Sequence, residues 1–302
     1  MKFLKFLVVI LTLFGTSVFV YGYLSDQEII STIASYYNKS PSVLVTNEYT
    51  KEIDNNFVKL TNNFYASNKQ DLLDIYYTII SSGMNEFTFY CKDEYETCTS
   101  DAQAIFNDNE LLSEINNFVN VYNTFKKLKV NITTSYFLKG RIDLVIEKVY
   151  SKEDIEKIEK KLDELEPKLI DKNKSDYDNI LNIHDYIINN TKYNIEDENK
   201  ENTESSTAIG VLFNNLATCN GYTDTASLLL DRLNIKNMRI SNDNHIWNLV
   251  YLNNKWLHLD LTWDDPVNNL NQDMLLHDYF LKETKEMDDK HNFNKEIFDF
   301  IN

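Results

Sequence analysis

Six glycines and three prolines among 302 residues are too few for a loop-rich or fibrous scaffold, so most of this chain must lie in regular elements. Long apolar runs are scarce as well. Beyond the first 22 residues no stretch approaches the roughly 20 apolar residues that a membrane-crossing helix needs. Basic residues are outnumbered, with 30 Lys and Arg against 47 Asp and Glu, for a net charge of −17. Such a surface repels polyanions, which argues against nucleic acid as a partner, and the acids form no single block, which points to a solvated exterior. Cysteine is limited to Cys91, Cys98 and Cys219, with no ligand-pair spacing typical of zinc, so neither a metal nor a cofactor is expected.

What is present is a large apolar content, 43% hydrophobic and 13% aromatic, enough for one large domain or two smaller ones. Lys2 and Lys5 precede an apolar run from Phe6 to Val20, followed by Val20-Tyr21-Gly22, so residues 1–22 read as a secretory signal. The expected location is secreted or cell-surface, and an uncleaved signal segment would be the one membrane contact. Richness in Lys, Asn and Ile, together with the short signal, suggests a bacterium with an AT-rich genome. In an oxidising exterior Cys91 and Cys98, with six residues between them, are the natural disulfide pair, which leaves Cys219 as a buried filler, an intermolecular bonding site or a nucleophile.

Residues 23–150 read as an α+β unit of unknown function. Helices are expected at Asp26 to Tyr36 and Leu72 to Ser81, with strands at 87–91, 129–136 and 142–149, the last two joined by a turn around Lys139-Gly140. Ser151 and Asp154 resemble a capping box that opens a linker helix through Ile155, Ile158, Leu162, Leu165 and Leu169, disturbed at Pro167, and a second unit spans 151–302. Asp176 to Asn189 reads as a helix whose apolar stripe includes His184, taken here as a core histidine with one satisfied hydrogen bond.

Cys219 stands at the first turn of a helix whose buried side is Tyr222, Ala226, Leu229, Leu230 and Leu233, closed by Asn234. There the free backbone N–H groups and the helix dipole favour a thiolate and can hold an oxyanion. Gly221 permits close approach of another backbone or a substrate. Downstream, His245 to Leu252 and Lys255 to Thr262 read as strands joined by a two-residue Asn253-Asn254 turn, so opposed positions sum to 252 + 255 = 507. His245 and Asp260 then lie diagonally on one face, within reach of an imidazole–carboxylate hydrogen bond, while Ile246, Val250, Leu257, Leu259 and Leu261 form the core face. A carboxylate beside a histidine fixes its tautomer and stabilises the imidazolium, as a base serving a thiol requires. A metal reading would need His258 or His277 as further ligands and is the weaker one.

Cys219-Asn220-Gly221-Tyr222, His245-Ile246-Trp247-Asn248 and Asp260-Leu261-Thr262-Trp263-Asp264-Asp265-Pro266 together resemble the core of the transglutaminase-like superfamily. Upstream the resemblance includes Ile183-His184-Asp185-Tyr186-Ile187, Lys192-Tyr193-Asn194 and the Gly210 segment, so that it covers roughly 176–266. It implies a papain-related α+β fold in which a helix bearing Cys219 packs on an antiparallel sheet bearing His245 and Asp260. By this resemblance Cys219 is the nucleophile, His245 the general base and acid, and Asp260 its orienting partner. Trp247, Asn248, Trp263, Tyr222 and Asn220 would be supporting or substrate-binding residues. Thr218 and Thr223 stand where apolar or small residues are usual, and no calcium dependence is implied. The implied activity is thiol-dependent acyl transfer on protein or peptide amides, cell-surface ones included, ending in transamidation or in hydrolysis. The alternative is a catalytically silent binding or surface-assembly module.

Overall fold

A computed structural model of the protein describes residues 40–53, 55–135, 138–198, 200, 203–266 and 274–301. The signal segment and the helix expected at Asp26 to Tyr36 lie outside the described residues. The architecture is α+β, as the sequence implies.

The first part is a four-stranded sheet in the order β1-β2-β4-β3: β1 (Tyr65–Ala66), β2 (Glu86–Cys91), β3 (Phe125–Ser135) and β4 (Leu138–Lys148). Helices α1 (Lys69–Ser82), α2 (Cys98–Asn107) and α3 (Asn109–Asn117) pack with it. Asn68 caps α1 by accepting from the Asp71 N–H, and Gly83 ends it at φ +79°, where a Cβ would collide with the Asn47 and Asn123 side chains. The Cys91–Cys98 disulfide forms as expected and ties the end of β2 to the start of α2. Gly140 is not in a turn. It lies inside β4, and its lack of a side chain makes room for Cys91 Sγ, 2.7 Å from where a Cβ would stand.

The Ser151–Asp154 capping box is present and opens α4 (Lys152–Leu169), which continues through Pro167 in its last turn. α5 is Asp176–Asn189, as its periodicity predicts. Two short parallel strands, β5 (Lys192–Tyr193) and β6 (Leu216–Ala217), lead into α6 (Cys219–Arg232). The sheet that follows has the order β7-β8-β9: β7 (Asn237–Ser241), β8 (Ile246–Leu252) and β9 (Lys255–Leu259). Asn253 at φ 52° and Asn254 at φ 61° make the tight turn, and the ladder from Leu252↔Lys255 to Asn248↔Leu259 keeps the expected sum of 507.

One expectation needs correcting: this sheet has no single core face. Val250, Leu252 and Leu259 join a cluster with α4, α5 and α6, whereas Met238, Ile240, Trp247 and Leu249 join the cluster of the first sheet, together with Phe298 from the chain's end. Each large apolar side chain so buried contributes about 1.5–3 kcal/mol. The sheet is thus clamped on both sides, and the face bearing Trp247 and Asp260 is as dry as the other.

Candidate active site

The pairing of β6 with β5 delivers the chain to Thr218, the extended N-cap of α6, whose hydroxyl makes no capping bond. The first rung of the helix is Tyr222 N–H to Thr218 O at 3.2 Å, so the amides of Cys219, Asn220 and Gly221 lie ahead of the ladder. A Cβ at Gly221 would stand 2.6 Å from Ser205 O and 2.8 Å from Thr207 O, so its smallness serves backbone packing. Polar pegs fix α6 on β8. Thr223 Oγ1 donates to Ile246 O at 3.1 Å, and buried Asn248 donates to Thr223 O at 3.1 Å and Ser227 Oγ at 2.8 Å. The threonine at 223 is therefore a docking residue.

His245 lies just before β8 and Asp260 just after β9, with His245 Nε2 2.5 Å from Asp260 Oδ2. Cys219 lies near enough to the ring for its charge and hydrogen bonding to raise the imidazole's basicity. Burial is the largest influence on this imidazole and pulls its pKa down, but the charge and hydrogen bond of Asp260, joined by those of Cys219, outweigh it and hold the value up at about 10. Asp260 is fully buried. Burial pushes its carboxyl up, yet His245 and His291 hold it below the ordinary value. Its Oδ1 accepts from the amides of Thr262 and Trp263 at 3.0 and 3.1 Å.

The other occupant of Asp260 Oδ2 is His291 Nε2 at 2.8 Å, and His291 Nδ1 lies 2.8 Å from Asp288 Oδ1. Sequence reasoning missed this residue: it sits in a short 3-10 turn (Asp289–His291), where no periodicity or motif marks it. Missed too was the buried pair of Arg239 and Asp224, with Nη1–Oδ1 at 3.1 Å. Tyr150 donates to the other oxygen of Asp224 at 2.6 Å, and Arg239 donates to Asn116 O and Val119 O, which secures α6 and β7 to the first sheet's layer.

The remaining predicted residues surround the histidine. Trp247 stacks on His245 with ring centroids 5.6 Å apart, and its indole N–H donates to His258 Nδ1 at 2.9 Å. His258 is engaged at both ring nitrogens, its Nε2 lying 3.1 Å from Thr284 Oγ1, and burial, then His291, lowers its pKa to about 4. Trp263 lies across from His245 at 6.0 Å, and Tyr222 donates to Asp265 Oδ2 at 2.5 Å. A cleft of about 630 Å³ opens over His245, lined by Tyr193, Glu198, Trp263, Asp265 and Lys290 among others. A second, of about 600 Å³, reaches Cys219 and Asn220 between α6 and the first part's Asn109, Asn116 and Lys126. Burial, and then the charge of Cys219, pushes the Tyr193 phenol up, so it stays protonated beside the thiol.

Two clusters hold three metal-capable side chains within 4.8 Å among the described residues: His245, Asp260 and His291, and, on the other side of the turn after β9, His184, Asp185 and His277. His184 differs from its sequence reading in that both ring nitrogens are engaged, not one.

The family model of the transglutaminase-like superfamily matches residues 163–261. No curated protein matches the chain. Among solved structures, a TGase is similar at 18% identity and a TM-score of 0.33, over 55% of this chain and 50% of that one. A protein from Cytophaga hutchinsonii, provisionally described as a cysteine protease, is similar at 15% identity and a TM-score of 0.28, over 50% of this chain and 66% of that one. The chain thus spans half the length of the first and just under two thirds of the second. Residues 163–261 thus match the transglutaminase-like superfamily, and a helix-borne cysteine, a hairpin histidine and an aspartate follow in that order.

Proposed function

We propose that the protein is a thiol-dependent acyltransferase acting on protein or peptide amides. Cys219 Sγ attacks the amide carbonyl, and the amides at the start of α6 receive the oxyanion. The proton held on His245 passes to the leaving amine, which gives a Cys219 thioester. An amine or water then attacks the thioester, with His245 taking the incoming proton, and the product is a transamidated or hydrolysed substrate. Asp260 keeps Nε2 engaged, so that Nδ1 is always the nitrogen presented to sulfur. The observation that carries this reading is the His245 imidazole 2.5 Å from the Asp260 carboxylate, with Cys219 near enough to raise the ring's basicity.

Export fits the disulfide, since such bonds persist in oxidising surroundings, and a surface protein substrate would then be within reach. The test incubates the purified chain with a labelled primary amine and a glutamine-bearing protein, alongside a peptide-hydrolysis assay. Cys219→Ala and His245→Ala should each reduce turnover to background while the disulfide-bonded fold persists. Parent-like turnover by Cys219→Ala would end the assignment.

A further inference from the structure

His184 is fully buried in α5, yet it has a carboxylate oxygen against each ring nitrogen: Asp185 Oδ1 is 2.9 Å from Nδ1, and Asp264 Oδ2 is 3.1 Å from Nε2. A neutral imidazole carries one N–H and can satisfy one of these acceptors. With no solvent at the ring, the other nitrogen then presents a lone pair to an anion unless a positive centre stands between them. Asp264 is itself fully buried and accepts the Tyr279 N–H at 2.9 Å on its other oxygen, so it is a fixed acceptor for the Nε2 proton. That leaves the Nδ1 lone pair pointing at Asp185. Asp185 Oδ1 also meets His277 Nε2 at 2.8 Å, and the three atoms lie within 4.8 Å of one another.

We propose that His184 Nδ1, Asp185 Oδ1 and His277 Nε2 bind a divalent transition-metal ion of the zinc type. Two imidazoles and one carboxylate suit such an ion, with water completing a tetrahedral set. Bonds of about 2.0–2.1 Å place ligand atoms roughly 3.3 Å apart, so the present contacts need to open by about half an ångström. The Asp264–His184 contact is the outer carboxylate that orients a ligating histidine and raises its basicity. Asp185 is 33% exposed and His277 44%, so an ion can enter from solvent. The ion would staple the segment around His277 to α5. Leu276 N–H donates to Asp264 O and Tyr279 N–H to Asp264 Oδ1, each at 2.9 Å, on the path that leads to His291.

The test uses the full chain, stripped with a chelator and carrying Cys219→Ser so that no thiol competes. Co²⁺ is titrated against ligand-field absorption, and Zn²⁺ against a chromogenic indicator. One equivalent should bind with no thiolate charge-transfer band. His277→Ala and Asp185→Asn, both at partly exposed positions, should each weaken uptake by about 10–100-fold or more. Zn²⁺ should raise the melting temperature of the Cys219→Ser chain but not of its His277→Ala form. Failure to take up either ion, or uptake undiminished in either variant, would overturn the proposal.

Discussion

Asp260 and Asp264 stand one turn apart after β9, linked by Asp264 N–H to Asp260 O at 3.3 Å, and each offers Oδ2 to an imidazole Nε2 and Oδ1 to backbone N–H. The two histidines differ in what meets their other nitrogen. His245 faces Cys219 under a cleft and its side chain is 10% exposed, whereas His184 faces Asp185 and is sealed. A histidine–carboxylate pair is therefore not enough for acyl transfer. In the proposed function the pair serves as a base where a thiol and an opening adjoin it, whereas in the second cluster a second carboxylate stands in the thiol's place.

The largest effect that would sharpen this contrast is Asp260→Asn, expected to lower kcat on the order of 10³–10⁴-fold, because the amide no longer stabilises the imidazolium. Steady-state kinetics on freshly purified chain would check this, and a loss below tenfold would break the contrast. Next in size is His184→Ala, which strands the buried Asp264 carboxylate. Its cost should be about 3 kcal/mol or more in the denaturant unfolding free energy. His291→Gln should act more gently. Asp260 keeps His245 but loses a second donor, and a roughly tenfold fall in kcat with KM unchanged, about 1.4 kcal/mol of barrier, is expected of a positioning residue.

A further effect is in pH dependence. His245 has a pKa near 10 in the folded chain against an ordinary 6.5. Below 6.5 both folded and unfolded chains hold the proton, and the stabilisation is fully present. Between 6.5 and 10 only the folded chain holds it, so unfolding releases a proton and stability falls as pH rises. Denaturant midpoints across that window should fall more steeply for the parent than for His245→Gln, and parallel slopes would contradict the assignment.

Much of the site was legible because its parts are local. Two asparagines able to take positive φ set the hairpin register, and the register alone brings His245 and Asp260 to one face. Helical periodicity marked α5 and the start of α6. What could not be read came from afar: His291 reaches Asp260 across 31 positions from a turn without pattern, and Arg239 reaches Asn116 across 123. The polar appearance of the Trp247–Asp260 face was misleading, since a face carrying His, Trp and Asp gives no sign that another layer will cover it. Gly140 misled for a similar reason: the same residue serves a turn or a close contact, and only the neighbour decides.

By itself the sequence determined which side chains share a strand face, where the helix of Cys219 begins and which two cysteines pair, because dihedral preference, side-chain period and short loops act over a few residues. The tertiary structure alone decided what closes over each imidazole, His291 and a cleft at His245 and Asp185 with His277 at His184. That outcome depends on which elements close over each imidazole, and burial and charge around a ring are set by atoms distant in the chain.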